Sequence, residues 1–225
     1  MKPVDYETLA SLPLFMGIDG ATLSSFCEAV GPAVQPVRSG ATIALKGSEC
    51  RMLNIVTEGE VAAVFSDAQG VCVLEEFLQG SGIVEPQRLF GLHTTYTRTY
   101  LARTACRLLS LPKNLVVSQL LDNEVFRLNF MNVVCSSSQQ FESRLGITQC
   151  GSVEKRLAAF VQVRLLRPVG RKILHVKMTD LAEQLSTSRL TLSNTLHGLE
   201  DRGLVDVHRR NIVIPVFEKF VTGVR

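Results

Sequence analysis

Residues 178–215, MTDLAEQLSTSRLTLSNTLHGLEDRGLVDVHRRNIVIP, restrict what this chain can fold into more than any other stretch. Apolar residues recur here at helical spacing in two short blocks separated by Ser186-Thr187. In the first block Leu181, Ala182 and Leu185 share a face, and Thr179 is the expected N-cap; Ser188 is the expected N-cap of the second. Leu192, Leu196 and Leu199 stand at i, i+4 and i+7, so one arc of the second helix is apolar. The opposite arc carries Leu190, Ser193, Asn194 and His197, with Arg189 at the N-terminal edge. Gly203 ends the helix, and the runs LVDVH and NIVIP flank Arg209-Arg210 as a hairpin with a basic tip. Any short helical pair can show such spacing. The conjunction of caps, tight turn, polar arc and basic hairpin is what singles this one out: its dimensions suit a major groove about 12 Å wide.

The charge distribution points the same way. Residues 151–225 hold thirteen Lys+Arg against seven Asp+Glu, a net of +6, whereas residues 1–150 hold eleven against fourteen, a net of −3. A basic third suits a polyphosphate partner, because each neutralised phosphate releases condensed counterions. A solvated basic face is the competing explanation of charge taken alone.

The rest of the chain reads as a different kind of structure. Residues 5–30 suggest short helices, with Leu9, Leu12, Leu14, Phe15, Leu23 and Phe26 apolar. From about residue 34 come short β-rich runs, among them MLNIVTEGEVAAVFS, GVCVLEEFL and TYLARTACRLLSL, punctuated by Gly40, Gly47, Gly59 and the turn Asp67-Ala68-Gln69-Gly70. These predict an antiparallel β-roll of jelly-roll type. From Asp122 to Leu145 there is no Pro or Gly, which predicts a long helix capped by Asp122 or Asn123 and stopped at Gly146. Phe126, Phe130, Val133, Ser137, Phe141 and Leu145 form its expected seam, facing its own domain or a second copy in a homodimer. The fold class is thus α+β: a β-roll sensor at 1–121, a long dimerisation helix and hinge at 122–150, and a winged helix–turn–helix at 151–225.

Several classes are excluded. With 46% hydrophobic and 20% charged residues the chain is not disordered. No apolar run approaches the ~18 residues of a membrane span, and Asp5 and Glu7 sit where a secretory leader is basic, so a cytoplasmic protein is expected. The cysteines (27, 50, 72, 106, 135 and 150) contain no CxxC pair and read as reduced, mostly buried side chains. One histidine, His93, in the first 150 residues cannot build the several-histidine site of a β-roll metal enzyme, so no metal and no catalytic residue is expected. A module binding RNA or another partner through the basic face remains as the other alternative.

The order of parts resembles the Crp/Fnr family of bacterial transcription regulators. LPLFMGIDGATLSSF is similar to its opening helices, TEGEVAAVF followed by DAQG to its sheet and turn, and ARTACRLLSLPK to its last barrel strand. LAEQLSTSRLTLSNTLHGLEDRGLV is similar to its helix–turn–helix. The resemblance implies a homodimer on double-stranded DNA, an effector bound by the β-roll, and a contact with RNA polymerase. It places Arg189 where the family commonly reads guanine, with Leu190 in place of a glutamate and Asn194 in place of an arginine, implying an operator richer in A·T. Thr179, Ser188, Thr191, Ser193, His197, Arg209 and Arg210 complete the expected DNA contacts. For the effector, GSGIVEPQRLFGLHTTYTRTYLARTAC stands where the family has its cyclic-nucleotide stretch, departing from it at Pro86. Glu85 corresponds to the ribose-binding glutamate, and Tyr96-Thr97 stand where the phosphate-binding arginine pair belongs, with Arg98 two residues on as its substitute. His93 is the candidate axial donor for a haem, and Arg88 lies in RLFG, which resembles a subgroup tied to nitrosative stress. The cofactor is left open between haem, cyclic nucleotide and neither.

Overall fold

The computed structural model describes residues 2–67, 70–145 and 151–224, with only the backbone of residues 2, 141 and 143–145. Ala68-Gln69, Gly146 and Cys150 lie outside the described residues, as do the side chains of Phe141 and Leu145. The chain divides into two units, residues 1–62 with 78–138, and residues 63–77 with 139–225. The second unit therefore takes in a segment from far outside the 151–225 boundary expected from texture and charge.

In chain order the first half comprises β1 (Lys2–Pro3), α1 (Tyr6–Ala10), α2 (Gly20–Val30), β2 (Ala33–Val37), β3 (Thr42–Ala44), β4 (Met52–Glu58), β5 (Val61–Ser66) and β6 (Val73–Leu78). It continues with β7 (Gly82–Ile83), β8 (Thr99–Ala102), β9 (Cys106–Pro112), α3 (Lys113–Leu115) and α4 (Glu124–Leu145). Asp5 and Asp19 cap α1 and α2 by accepting the Thr8 and Thr22 N–H groups at 2.8 and 2.9 Å. The main sheet of the first unit runs β1-β2-β9-β4-β7, and β3 pairs β8 beside it; every pairing is antiparallel. Leu53, Ile55 and Val56 of β4 and Leu109 and Leu111 of β9 are the buried centre. Gly59 turns the chain between β4 and β5 at a φ of +87°, and an added Cβ would stand 2.5 Å from the Ala105 carbonyl, so no larger residue fits.

The long helix α4 begins where the sequence places it, with Asn123 accepting the Phe126 N–H at 3.0 Å. Of the two partners open to the seam, its first two positions take their own domain. Phe126 is fully buried against Phe15, ring centroids 5.3 Å apart, and Phe130 against Phe90 at 5.7 Å, all within the first unit. Val133 and Ser137 are half-buried, and Ser137 Oγ donates to the Val133 carbonyl at 2.9 Å. The aromatic rings are the bulkiest apolar groups on this helix and finish the core beneath it. The exposed apolar side chains are instead Leu128 and Met131, followed by Cys135 at i+7.

The second unit holds α5 (Val153–Gln162), β10 (Lys172–His175), α6 (Met178–Gln184), α7 (Arg189–Asp201), β11 (Asp206–His208), β12 (Asn211–Ile214) and α8 (Phe217–Gly223). Its strands run β11-β12-β10-β6-β5. One apolar cluster joins Leu157, Phe160 and Val161 of α5, Leu181 of α6, Leu192, Leu196 and Leu199 of α7, and Phe217 and Phe220 of α8. Fully burying each leucine or phenylalanine contributes about 1.5–3 kcal/mol against leaving it in water.

Candidate nucleic-acid interface

Helix α6 starts one residue before Thr179, with Lys177 at the N-cap and no side-chain cap; Thr179 is exposed and donates to Asp180 Oδ1 at 2.9 Å. The expected capping role of Thr179 is thereby corrected. The turn closes with the Thr187 N–H on the Ala182 carbonyl at 2.9 Å, and Ser186 takes a positive φ of 49°. Ser188 caps α7 as expected, its Oγ accepting the Thr191 N–H at 3.0 Å. Leu192, Leu196 and Leu199 are at most 1% exposed. Arg189, Leu190, Thr191, Asn194 and His197 are exposed and Ser193 half-exposed, so the structure brings this expected arc to one open face. Leu190 is 72% exposed, an unusual place for a leucine that nothing covers.

Polar contacts absent from the sequence reading hold α7 and the wing. Arg202 donates from Nη1 to the Gly223 carbonyl at 3.2 Å and pairs through Nη2 with Glu154 at 2.7 Å, fixing the end of α7 to α8 and α5. Glu200 accepts the Val207 N–H at 2.8 Å and lies 3.5 Å from His197 Nδ1, tying α7 to the first wing strand. The Val207 N–H, and after it His197, hold the Glu200 carboxyl below its ordinary value. A carboxylate seven residues before a strand amide is a weak sequence signal, and Glu200 was legible only as one charge among many.

In the wing, β11 and β12 pair from Asp206↔Val213 to His208↔Asn211, leaving Arg209-Arg210 as the tip. Both arginines are exposed. The Arg210 carbonyl accepts the Val176 N–H at 3.0 Å, so the tip is anchored to the body of the domain. Two exposed arginines on an anchored tip are the residue type that contacts backbone phosphates.

Residues 155–220 match the Crp-like helix-turn-helix domain family. The C-terminal part of the chain is a Crp-like helix–turn–helix domain. The whole chain is similar to the solved catabolite activator protein of Thermus thermophilus, with 17% identity, 95% of this chain and 100% of that chain covered, and a TM-score of 0.54. It is also similar to the c-di-GMP-responsive global regulator CLP of Xanthomonas campestris, with 16% identity, 88% and 99% covered, and a TM-score of 0.51. The chain thus has the α+β fold of these two solved regulators, with a Crp-like helix–turn–helix at its C-terminal part. No curated protein matches it. Among the described residues no helix is long and apolar enough to cross a membrane, and no three His, Cys, Asp or Glu side chains converge to hold a metal.

The expected effector residues fall into two groups. Glu85 is 3% exposed at a φ of 35°, and both its oxygens accept the Thr97 N–H, at 3.1 and 3.0 Å. Tyr100 donates to the same carboxylate at 3.0 Å, and Arg88 Nε lies 3.6 Å away. Tyr96, Arg98 and Tyr100 alternate inward and are buried, the two tyrosine rings 6.2 Å apart. A ribose hydroxyl reaching Glu85 meets a buried carboxylate that already accepts the Thr97 N–H and the Tyr100 hydroxyl. His93, by contrast, is exposed beside Leu92, which is 98% exposed. An imidazole on an open surface, followed at once by this packed run, does not fit a haem, which needs an axial donor inside an apolar slot.

Proposed function

We propose that the protein is a homodimeric, sequence-specific regulator of transcription that reads a near-palindromic operator with two copies of α7. One observation carries the reading: Arg189, Leu190, Thr191, Asn194 and His197 are exposed on a helix whose three leucines are buried, in a domain whose wing ends in two exposed arginines. Arg189 takes guanine O6 and N7, Asn194 takes adenine, and Leu190 covers a thymine methyl. Thr179, Ser188, Thr191, Ser193, His197, Arg209 and Arg210 supply phosphate and edge contacts.

The dimer seam that fits the exposed side chains is Leu128, Met131 and Cys135, spaced i, i+3 and i+7. Two recognition helices joined through it read half-sites about 34 Å apart. The first unit is the sensor. RNA polymerase and the cytoplasm follow as partner and location of such a regulator.

The test is selection of duplexes from a randomised pool by the purified protein, repeated with Arg189→Ala. A palindromic site is expected, with binding that falls steeply with salt and is absent for single strands. The variant loses about 1–3 kcal/mol and relaxes one base position per half-site. Enrichment of no duplex, or an unchanged site for the variant, overturns the assignment.

A further inference from the structure

The DNA-reading unit is built from two stretches of chain that are far apart in sequence. Strand β10 pairs β12 on one side, from Lys172↔Ile214 to His175↔Asn211. On its other side it pairs β6, from Lys172↔Glu76 to His175↔Val73. Without β6, β10 is an open edge, which natural sheets avoid leaving bare. Cys72 and Leu74 of this segment enter the same apolar cluster as Leu192 and Leu196 beneath the recognition helix, and Phe65 packs against it.

The polar contacts define the pairing more sharply than the apolar ones. Glu76, whose side chain is 3% exposed, accepts the Leu166 N–H and, at 2.8 Å, the Arg167 N–H. It also meets Lys172 Nζ at 3.4 Å; that lysine is 1% exposed and donates to the Val169 carbonyl at 2.7 Å. Next to it, Glu75 meets His175 Nε2 at 3.0 Å, and His175 Nδ1 faces Asn211 Oδ1 at 2.7 Å. Arg171 lies over the Phe77 ring at 4.2 Å. Burying a carboxylate and an ammonium carries a desolvation cost that an apolar pair avoids, so such a pair is better suited to fixing register than to adding stability. A slip of one residue turns Glu76 to the opposite face and leaves two amides and an ammonium without it.

We infer that the DNA reader of this chain is a two-segment module, in which residues 63–77 supply the strand that completes the winged-helix sheet and Glu76 is the positioning residue that fixes its register. The inference rests on α7 being the DNA reader and adds what holds that reader in shape. Residues 62 and 78, at the two ends of the segment, belong to the first unit, so the segment is a covalent route from the sensor half to the core under α7.

The test is native-state hydrogen exchange on the full-length protein, wild type and Glu76→Gln, with binding to a wild-type-selected duplex measured alongside. In the wild type, amides of β6, β10 and β12 open together with one free energy, distinct from that of β4 and β9. Glu76→Gln raises exchange at Leu166, Arg167 and β10 by about tenfold or more, leaves β4 and β9 unchanged, and weakens duplex binding. Adding Lys172→Met, which removes the uncompensated ammonium, restores much of the protection. Opening of β6 together with β4 and β9 while β10 stays protected overturns the inference, and that wild-type result is decisive even if the variant fails to fold. So does β10 exchange in Glu76→Gln within about twofold of wild type. Absence of any duplex binding by the wild type refutes the DNA reading instead, and the exchange pattern still decides the module.

Discussion

Replacing Arg210 by glycine separates the two things the wing tip does. Arg210 holds a φ of 66°, and its carbonyl is fixed by the Val176 N–H. A residue with a Cβ in this left-handed region costs about 1–2 kcal/mol, which glycine does not incur. Glycine adds about 0.5–1 kcal/mol of backbone entropy to the unfolded chain, so the net change is a stabilisation of about 0.5–1 kcal/mol. For a chain of this size that raises Tm by about 1–4 °C. Affinity moves the opposite way. Each lost phosphate contact lowers the slope of log K against log salt by about 0.9, equivalent near 0.1 M salt to about eightfold in affinity per wing. Arg210→Ala is the control, since it loses the same charge but keeps the strained backbone, so its affinity falls equally without the gain in Tm. Differential scanning calorimetry and fluorescence anisotropy from 0.05 to 0.3 M salt read both quantities. A lower Tm for the glycine variant refutes the strain argument, and an unchanged salt slope refutes the phosphate contact.

Leu196→Ala removes a 1%-exposed side chain from beneath α7 and is expected to cost about 2–5 kcal/mol, seen as a lower denaturation midpoint; a loss under about 1 kcal/mol shows that the helix is not pinned there. Glu200 and Glu218 are both held below the ordinary value of 4.5, chiefly by backbone hydrogen bonds. Depressed carboxylates stabilise the fold above their unfolded value and lose that contribution as pH falls through their folded values. Tm is therefore expected to drop on acidification below pH 4.5, and Glu200→Gln to flatten part of that drop. Parallel curves for variant and wild type count against the Glu200 link to the wing.

The sequence made local and repeating features legible. Ser188 and Asn123 were identifiable as caps because a cap needs only the residue and its next three neighbours. The leucines of α7 were identifiable because their spacing alone defines an arc. Thr179 misled because Lys177 and Met178 carry no cap signal, yet the helix starts there without a side-chain acceptor. The seam of α4 stays open between two partners in the sequence for a different reason. The helix has apolar residues on two arcs, and spacing does not say which arc meets its own domain and which stays outside. Ring size decides it, since Phe126 and Phe130 reach Phe15 and Phe90 and leave Leu128 and Met131 exposed. The pairing of Glu76 with Lys172, 96 residues apart, was beyond any local pattern. The available hint was two adjacent glutamates inside the apolar run VLEEFL, where a strand sends one to each face and both need partners.

Those observations divide the labour in the reading domain. Everything that holds α7 in place is buried or pairs within the domain: three leucines, the Ser188 cap, Arg202 at its far end and Glu200 on the wing. The side chains left for a partner, Arg189, Leu190, Asn194 and His197, take almost no part in the scaffold. Substitutions at these positions can therefore change which bases are read while leaving the fold nearly untouched. Surface changes of that kind usually shift stability by no more than about 0.5 kcal/mol. Leu190 is the informative case. A leucine 72% exposed among polar neighbours gives the fold nothing, and burying its side chain against a methyl-bearing base edge recovers transfer free energy that no polar residue there supplies. On the function proposed above, the three-leucine scaffold carries an edge whose distinguishing element is apolar contact between Leu190 and a thymine methyl.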